Sequence, residues 1–271
     1  MVNNHDNVYT HGHHESVLAS HKWRTVENSA KYLVPFLKDG SMALDAGCGP
    51  GNISVGLAEL IPHGKVIGID FSSDIIEQAQ QDYPTLKHGN LEFEQGDIYN
   101  LRFEDESFDV IHLHQVLQHL KNPVLALIEL RRVLKPGGIL ACRDADYGAF
   151  TWYPELPPLD RWHELYRAIT QRNRAECNGG RFLKTWTMEA GLEPIDIGCS
   201  TWVFAKDGDR DFWGNMWSKR VIQSDFADQA ISYGFSNAQE LEEISRAFLE
   251  WAQDPRGFYA VPHTEVIATK R

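Results

Sequence analysis

The stretch that most limits what this chain can fold into is LDAGCGPGN, residues 44–52. Glycines at 47, 49 and 51 let the backbone turn tightly and approach a ligand where a Cβ would collide. A helix beginning at Asn52 then turns its unpaired N–H groups toward that ligand. The loop ends one short apolar run, MALDAG (42–47), and opens an amphipathic one, Asn52–Leu60, with Ile53, Leu57 and Leu60 on one face. The same alternation continues downstream. KVIGID (65–70), LEFEQGD (91–97), FDVIHL (108–113) and ILACRD (139–144) read as strands. Between them lie a helix capped by Ser73 and running to residue 81, and one opened by Pro123. The second carries Leu127, Leu130 and Leu134 and is stopped by Lys135-Pro136-Gly137-Gly138. Apolar strands alternating with helices predict a buried parallel sheet with right-handed crossovers, an α/β doubly wound, Rossmann-like core.

On either side of that core the rhythm differs. Residues 15–37 read as one helix, with Val26, Ala30, Leu33 and Leu37 at helical steps. Residues 146–180 are rich in Trp, Tyr, Pro and Arg; a helix is expected over 184–190 and a strand over 194–205. Helical stretches are expected near 210–224 and 237–252, and a last strand containing VIAT closes the chain. This divides the chain into an N-terminal helical lid segment (1–40), a ligand-binding core (41–145) and an insertion (146–182). A C-terminal part (183–271) then completes the sheet and carries a helical insertion near 208–254. Both insertions are expected over the C-terminal edge of the sheet, where open α/β folds bind ligands.

Composition narrows the partners. A net charge of −12 over 271 residues offers no basic surface for a phosphate backbone, so nucleic acid is not expected. No run approaches the length of a membrane span, and the first residues lack the apolar stretch of a signal peptide. The four cysteines are widely spaced with no C-x-x-C, as expected of free thiols in the cytoplasm.

Acids at the strand ends define the ligand. Asp70 follows Gly51 by 19 residues, where a carboxylate can accept both ribose hydroxyls, and Asp97 ends the third strand. Asp45 precedes the glycines, whose spacing is G-x-G-x-G rather than the dinucleotide G-x-G-x-x-G. A carboxylate there repels a pyrophosphate and suits a ligand with an ammonium group. S-adenosylmethionine has that group, a sulfonium and no phosphate, and an NAD-dependent oxidoreductase is disfavoured on the same grounds.

With LDAGCGPGN, VIGIDFS, FEQGDIYNL, FDVIHLHQVLQHL and RRVLKPGGIL in place over residues 42–144, the chain resembles class I S-adenosylmethionine-dependent methyltransferases. The likeness is to the ubiquinone/menaquinone-biosynthesis type. It implies a seven-stranded, mostly parallel sheet with an antiparallel last strand, and S-adenosylhomocysteine as product. It implies that Gly47, Gly49 and Gly51 line the methionine end, that Asp70 takes the ribose, and that Phe71 packs on the adenine. Asp97 and the Ile98 backbone would meet the adenine amino group, and His114 and Gln115 would lie near the sulfonium and the acceptor. The acceptor is expected to be a small molecule, quinone-like or a secondary metabolite, and the protein a monomer or homodimer. The alternative is a methyltransferase-fold protein that binds the cofactor but acts as a lyase, cyclase or binder.

Methyl transfer asks the protein for alignment, a dry pocket and sometimes a base. Related enzymes often read L-H-H after strand four; here the run is Leu117-Gln118-His119, and Gln118 cannot take a proton. The candidates left are Asp144, His119 and His14. Trp152, Tyr153, Trp162, Tyr166, Trp213 and Trp217 are candidates to roof an apolar or aromatic acceptor. Arg172, Arg174, Arg181 and Arg220 would be out of place beside a pure hydrocarbon. His11, His13, His14 and His21 crowd the N-terminal segment, but adjacent His13 and His14 point apart, so no metal is expected. They and Arg24 are read instead as a lid with polar contacts to cofactor or acceptor.

Overall fold

In the computed structural model, residue 10, residues 21–84 and residues 89–271 are described. The parallel half of the sheet follows from the apolar runs. Strands β1 (Met42–Ala46), β2 (Lys65–Asp70), β3 (Leu91–Gln95), β4 (Phe108–His114) and β5 (Leu134–Ala145) lie in the order 3-2-1-4-5. Ala43, Leu44 and Ala46 of β1 are buried whichever face they point to, the signature of a strand covered on both sides. Helices α1 (Asn52–Leu60), α2 (Ser73–Asp82) and α3 (Pro123–Val133) supply the covers. Ser72, not Ser73, caps α2, accepting from the Ile75 N–H. The Lys135–Gly138 run does more than stop α3: it bulges the start of β5, so that Phe108 pairs with Leu134 but Val110 with Ile139.

Past β5 the chain adds a short strand β6 (Thr151–Tyr153), helix α4 (Pro157–Arg172), helix α5 (Leu183–Glu189) and strand β7 (Glu193–Phe204). Helices α6 (Asp207–Gln223), α7 (Asp225–Ser232) and α8 (Ala238–Gln253) follow, then strand β8 (Phe258–Thr269). Strand β8 runs antiparallel to β5 on one side and to β7 on the other. Beyond the end of β5, the three-residue β6 takes over the β5 side of β8, making an eighth strand where seven were expected. Trp162, Tyr166, Trp217, Phe248, Trp251 and Tyr259 knit α4, α6, α8 and β8 into a separate aromatic core.

The expected helix over 15–37 is broken where it is described. Thr25 is extended (φ −136°, ψ 170°) and caps a new start by a reciprocal pair of bonds with Asn28. Val26–Ala30 then winds as a wide π-turn and Lys31–Phe36 as a tight 3₁₀ segment. The free-standing cap and Pro35 explain the break.

Candidate functional site

The glycine loop is held by the strand beside it. Gly47 and Cys48 both donate backbone N–H groups to the Ile69 carbonyl, at 2.8 and 2.9 Å. Gly51 caps α1 at φ +86°, a left-handed conformation that favours glycine. A Cβ on Gly47 would stand 2.4 Å from Val116 Cγ2, and one on Gly51 2.5 Å from Phe93 Cζ. Asp70 closes the loop from the end of β2: Oδ2 accepts from the Gly49 N–H at 3.0 Å and Oδ1 from the Ser72 N–H at 3.1 Å.

Asp45 is buried below the glycines. Its Oδ2 accepts from the Ser54 hydroxyl at 2.5 Å and its Oδ1 pairs with His112 Nδ1 at 2.8 Å. Both oxygens therefore already have partners, and Asp45 sits at the back of a small recess beside the loop, with His21, Arg24 and Asn52 in its walls. The sequence reading aimed this carboxylate at an ammonium; the structure gives it first the work of fixing β4 and α1 to the loop.

Above the C-terminal ends of the parallel strands opens a cavity of about 260 Å³. One half is walled by Gly49, Asp70, Phe71, Asp97 and Ile98. Phe71 leaves 63% of its surface exposed, and Asp97 Oδ1 accepts from the Tyr99 N–H at 2.9 Å. The other half is aromatic: Tyr147, Phe150, Trp213 and Trp217, with His119 and Arg220 among them. Tyr166 and Trp162 lie behind it in the aromatic core, Trp152 packs against that core, and Tyr153 is half exposed. Of the expected aromatic roof, only Trp213 and Trp217 reach the cavity.

Where the halves meet, four distant segments converge. The His263 Nδ1 lies 2.8 Å from the Val261 carbonyl, which can only accept, so Nδ1 carries the proton and Nε2 the lone pair. The Gln115 amide nitrogen, 2.7 Å from that Nε2, is therefore the donor. Its oxygen is left to accept from Arg24 Nη2 at 2.8 Å. Gln115 holds this relay at φ +54°, an uncommon conformation for a side chain of its size. Trp202 of β7 locks the same seam. Its indole N–H donates to the Asn28 carbonyl at 2.7 Å, Trp23 meets it edge-on at 5.1 Å, and Arg24 lies over its ring. Nothing in the sequence separated Trp202, His263 or Trp23 from ordinary core residues.

His114 ends β4 against Trp202 and His263, and neither of its ring nitrogens has a hydrogen-bond partner among the described residues. Burial, reinforced by the nearby Arg143 and Arg24 guanidiniums, holds its pKa well below the usual imidazole range. Burial also lowers His119, to about 3, with Arg24 and Arg220 adding to it. Gln118 donates to His119 Nε2 at 3.2 Å while its oxygen accepts from the Ala145 N–H. Both histidines are thus neutral hydrogen-bonding groups rather than strong bases.

Asp144, expected at the mouth of β5, does not line the cavity. It is buried behind the wall, and burial pushes its carboxyl up to about 7, offset in part by the backbone amides of Gln118, Val116 and Leu117. Its place on β5 explains this: side chains alternate across a strand, and this one faces the turn after β4. Of the four arginines, Arg220 reaches the cavity; Arg181 pairs with Asp146, Arg172 lies over Tyr233, and Arg174 is exposed. His11, His13 and His14 lie outside the described residues, while His21 overlooks Gly49, its Nδ1 3.8 Å from where a Cβ would stand.

Comparison with known proteins agrees with this geometry. Residues 37–210 match the family model described as a methyltransferase domain. The chain is 33% identical to an uncharacterized methyltransferase of Schizosaccharomyces pombe, over 97% of this chain and 96% of that one. It is 34% identical to the demethylmenaquinone methyltransferase of Staphylococcus carnosus, over 48% of this chain and 51% of that one. Among solved structures it resembles a phosphoethanolamine N-methyltransferase of Haemonchus contortus holding S-adenosylhomocysteine. The TM-score is 0.54 at 18% identity, over 86% of this chain and 50% of that one.

Proposed function

The chain belongs to the methyltransferase-domain family and uses S-adenosylmethionine as methyl donor, and from that premise we propose that it methylates a small molecule held in the aromatic half of its cavity. One observation carries the proposal: a carboxylate-braced glycine loop and an aromatic chamber open into the same cavity, with buried, unpartnered His114 nitrogens between them.

The cradle fits the donor. Among the described residues, its chain neighbours apart, no atom stands closer than 3.8 Å to a Cβ built on Gly49, and Phe71 offers an exposed ring face. We assign the ribose hydroxyls to Asp70, the adenine face to Phe71, and its edge to Asp97 and the Ile98 backbone. The methionine end goes to Gly47, Gly49 and Gly51, with Arg24 placed for its carboxylate and Asp45 holding the loop from below. His114 and Gln115 border the junction with the acceptor. The donor supplies an electrophilic methyl group on a sulfonium. The protein's part is to align the acceptor and exclude water, and the neutral state of His114 keeps a further positive charge away from that sulfonium. Free cysteines support a cytoplasmic site of action.

Calorimetric titration with S-adenosylhomocysteine, together with transfer of labelled methyl onto small-molecule fractions of an extract, tests the reading. Binding accompanied by labelled product is expected. Tight binding with no product from any fraction would instead favour a cofactor-binding protein that does not transfer methyl.

A further inference from the structure

His263 does not line the cavity, yet its setting fixes which way it hydrogen-bonds. Its backbone is paired on both sides, with Ala145 of β5 and with Ser200 of β7. The ring is fully buried, 4.4 Å from the Trp202 ring and 6.0 Å from that of His114. Burial and the Arg143 guanidinium hold its pKa well below the usual imidazole range, against the pull of the Val261 carbonyl. The ring is therefore neutral, and with Nδ1–H given to that carbonyl its Nε2 offers only a lone pair.

That lone pair decides the orientation of Gln115. The two ends of a side-chain amide have the same shape, so they are told apart only by what they face. Here the NH2 meets the lone pair at 2.7 Å and the oxygen meets the Arg24 guanidinium at 2.8 Å. Turned over, the amide would set oxygen against lone pair and NH2 against guanidinium. Gln115 is thus a link with one direction, and its oxygen fixes one corner of Arg24, whatever else that guanidinium meets. Arg24 in turn borders both the cavity and the recess beside Gly47 and Gly49.

We propose that His263 is a positioning residue for the methyl donor: acting through Gln115, it sets Arg24 for the carboxylate at the donor's amino acid end. The proposal rests on the methyltransferase reading above. It gives a residue of the last strand a part in recognising a ligand that it does not touch. It also gives a reason for an amide at position 115. An ionised glutamate there would accept from Arg24 but have no hydrogen for His263, and a leucine would serve neither.

Calorimetry on the full chain tests this by comparing S-adenosylhomocysteine with methylthioadenosine, which keeps the nucleoside and the sulfur but lacks the amino acid end. His263→Phe keeps a ring against Trp202 and removes the lone pair. It should weaken S-adenosylhomocysteine about tenfold and leave methylthioadenosine within about twofold of the wild type. Arg24→Gln should show the same selective loss. The double variant should bind no more weakly than Arg24→Gln alone, because both changes interrupt one link. Equal losses for the two ligands, an Arg24→Gln variant without that selectivity, or losses that add in the double variant overturn the proposal and leave the methyltransferase reading standing. Nitrogen-15 NMR of the unaltered protein is an independent arm, decisive where His263→Phe does not fold. His263 is expected to carry its proton on Nδ1 and none on Nε2. A proton on Nε2 overturns the proposal, because the amide of Gln115 would then be turned over. Failure of the unaltered protein to bind S-adenosylhomocysteine strikes the methyltransferase reading instead.

Discussion

Replacing Gly51 with alanine puts the cradle to a quantitative test. Gly51 stands at φ +86° as the cap of α1, so an L side chain there adopts a left-handed conformation that costs roughly 1–2 kcal/mol. The new methyl would lie 2.5 Å from Phe93 Cζ and 2.7 Å from Cε1. Phe93 cannot swing aside, since it is 6% exposed and its ring also covers Gly68. Overpacking of this kind costs roughly 1–3 kcal/mol. Together the two effects predict a loss of about 2–5 kcal/mol, or a drop of about 1–2 M in the urea midpoint for a slope of roughly 2–3 kcal/mol per molar. S-adenosylhomocysteine affinity should fall with it, because any relaxation moves the loop. Gly137→Ala is the control: φ is +73°, but among the described residues, its chain neighbours apart, nothing lies within 4 Å of the new methyl, so only backbone strain of roughly 1–2 kcal/mol is added, far from the cavity. Equal destabilisation of the two variants, or unchanged ligand affinity in Gly51→Ala, would refute the reasoning.

Asp70→Asn turns its NH2 toward the Gly49 or the Ser72 N–H and removes the charge proposed for the ribose, so calorimetry should show S-adenosylhomocysteine binding weakened about tenfold or more; unchanged affinity removes Asp70 from the site. Gln115→Ala takes the acceptor from Arg24 and the donor from His263, for a loss of about 1–3 kcal/mol. Faster hydrogen exchange over residues 23–28 should accompany it, and an unaltered exchange pattern would show that the relay does not hold that segment. Burial raises Asp144 to about 7 from an unfolded value of about 4, so the folded chain keeps a proton that the unfolded chain has released in between. Wild-type stability from this group therefore falls as pH rises through that window. Asp144→Asn should gain on the wild type between pH 5 and pH 8, by at most about 4 kcal/mol, and equal responses of the two urea midpoints to pH would contradict it.

The sequence was most legible where a single local rule decides the structure. The bounds of α1 and β2 follow from the glycine loop and from apolar runs too short to be anything but strands. It was least legible where conformation depends on neighbours. The steps at Val26, Ala30 and Leu33 looked like one regular helix, yet a π-turn followed by a 3₁₀ segment presents the same positions inward. Helix α7 between the two expected helical stretches, and three-residue β6, carry too little periodicity to stand out. Asp70, Phe71, Asp97 and His114 line the cavity, and strand ends announce residues in that place. Trp202 and His263 carry no such signal, because the relay they serve joins residues more than a hundred positions apart. For Asp144 the position along β5 was readable, but which face of the strand meets the cavity was not.

Strand β8 is the sheet neighbour of β5, β6 and β7 at once, and it is the last of the described strands to be synthesised. During translation the five parallel strands can find one another early, whereas β6 and β7 have no strand to pair with until residues 258–269 emerge. Tyr259, packed among Trp152, Trp162, Trp213 and Trp251, arrives with it. The aromatic chamber is thus assembled after the half that holds the glycine loop. Loss of residues 258–269 would remove the Tyr259 packing and the sheet edge together, leaving β6 and β7 as unpaired strands open to association.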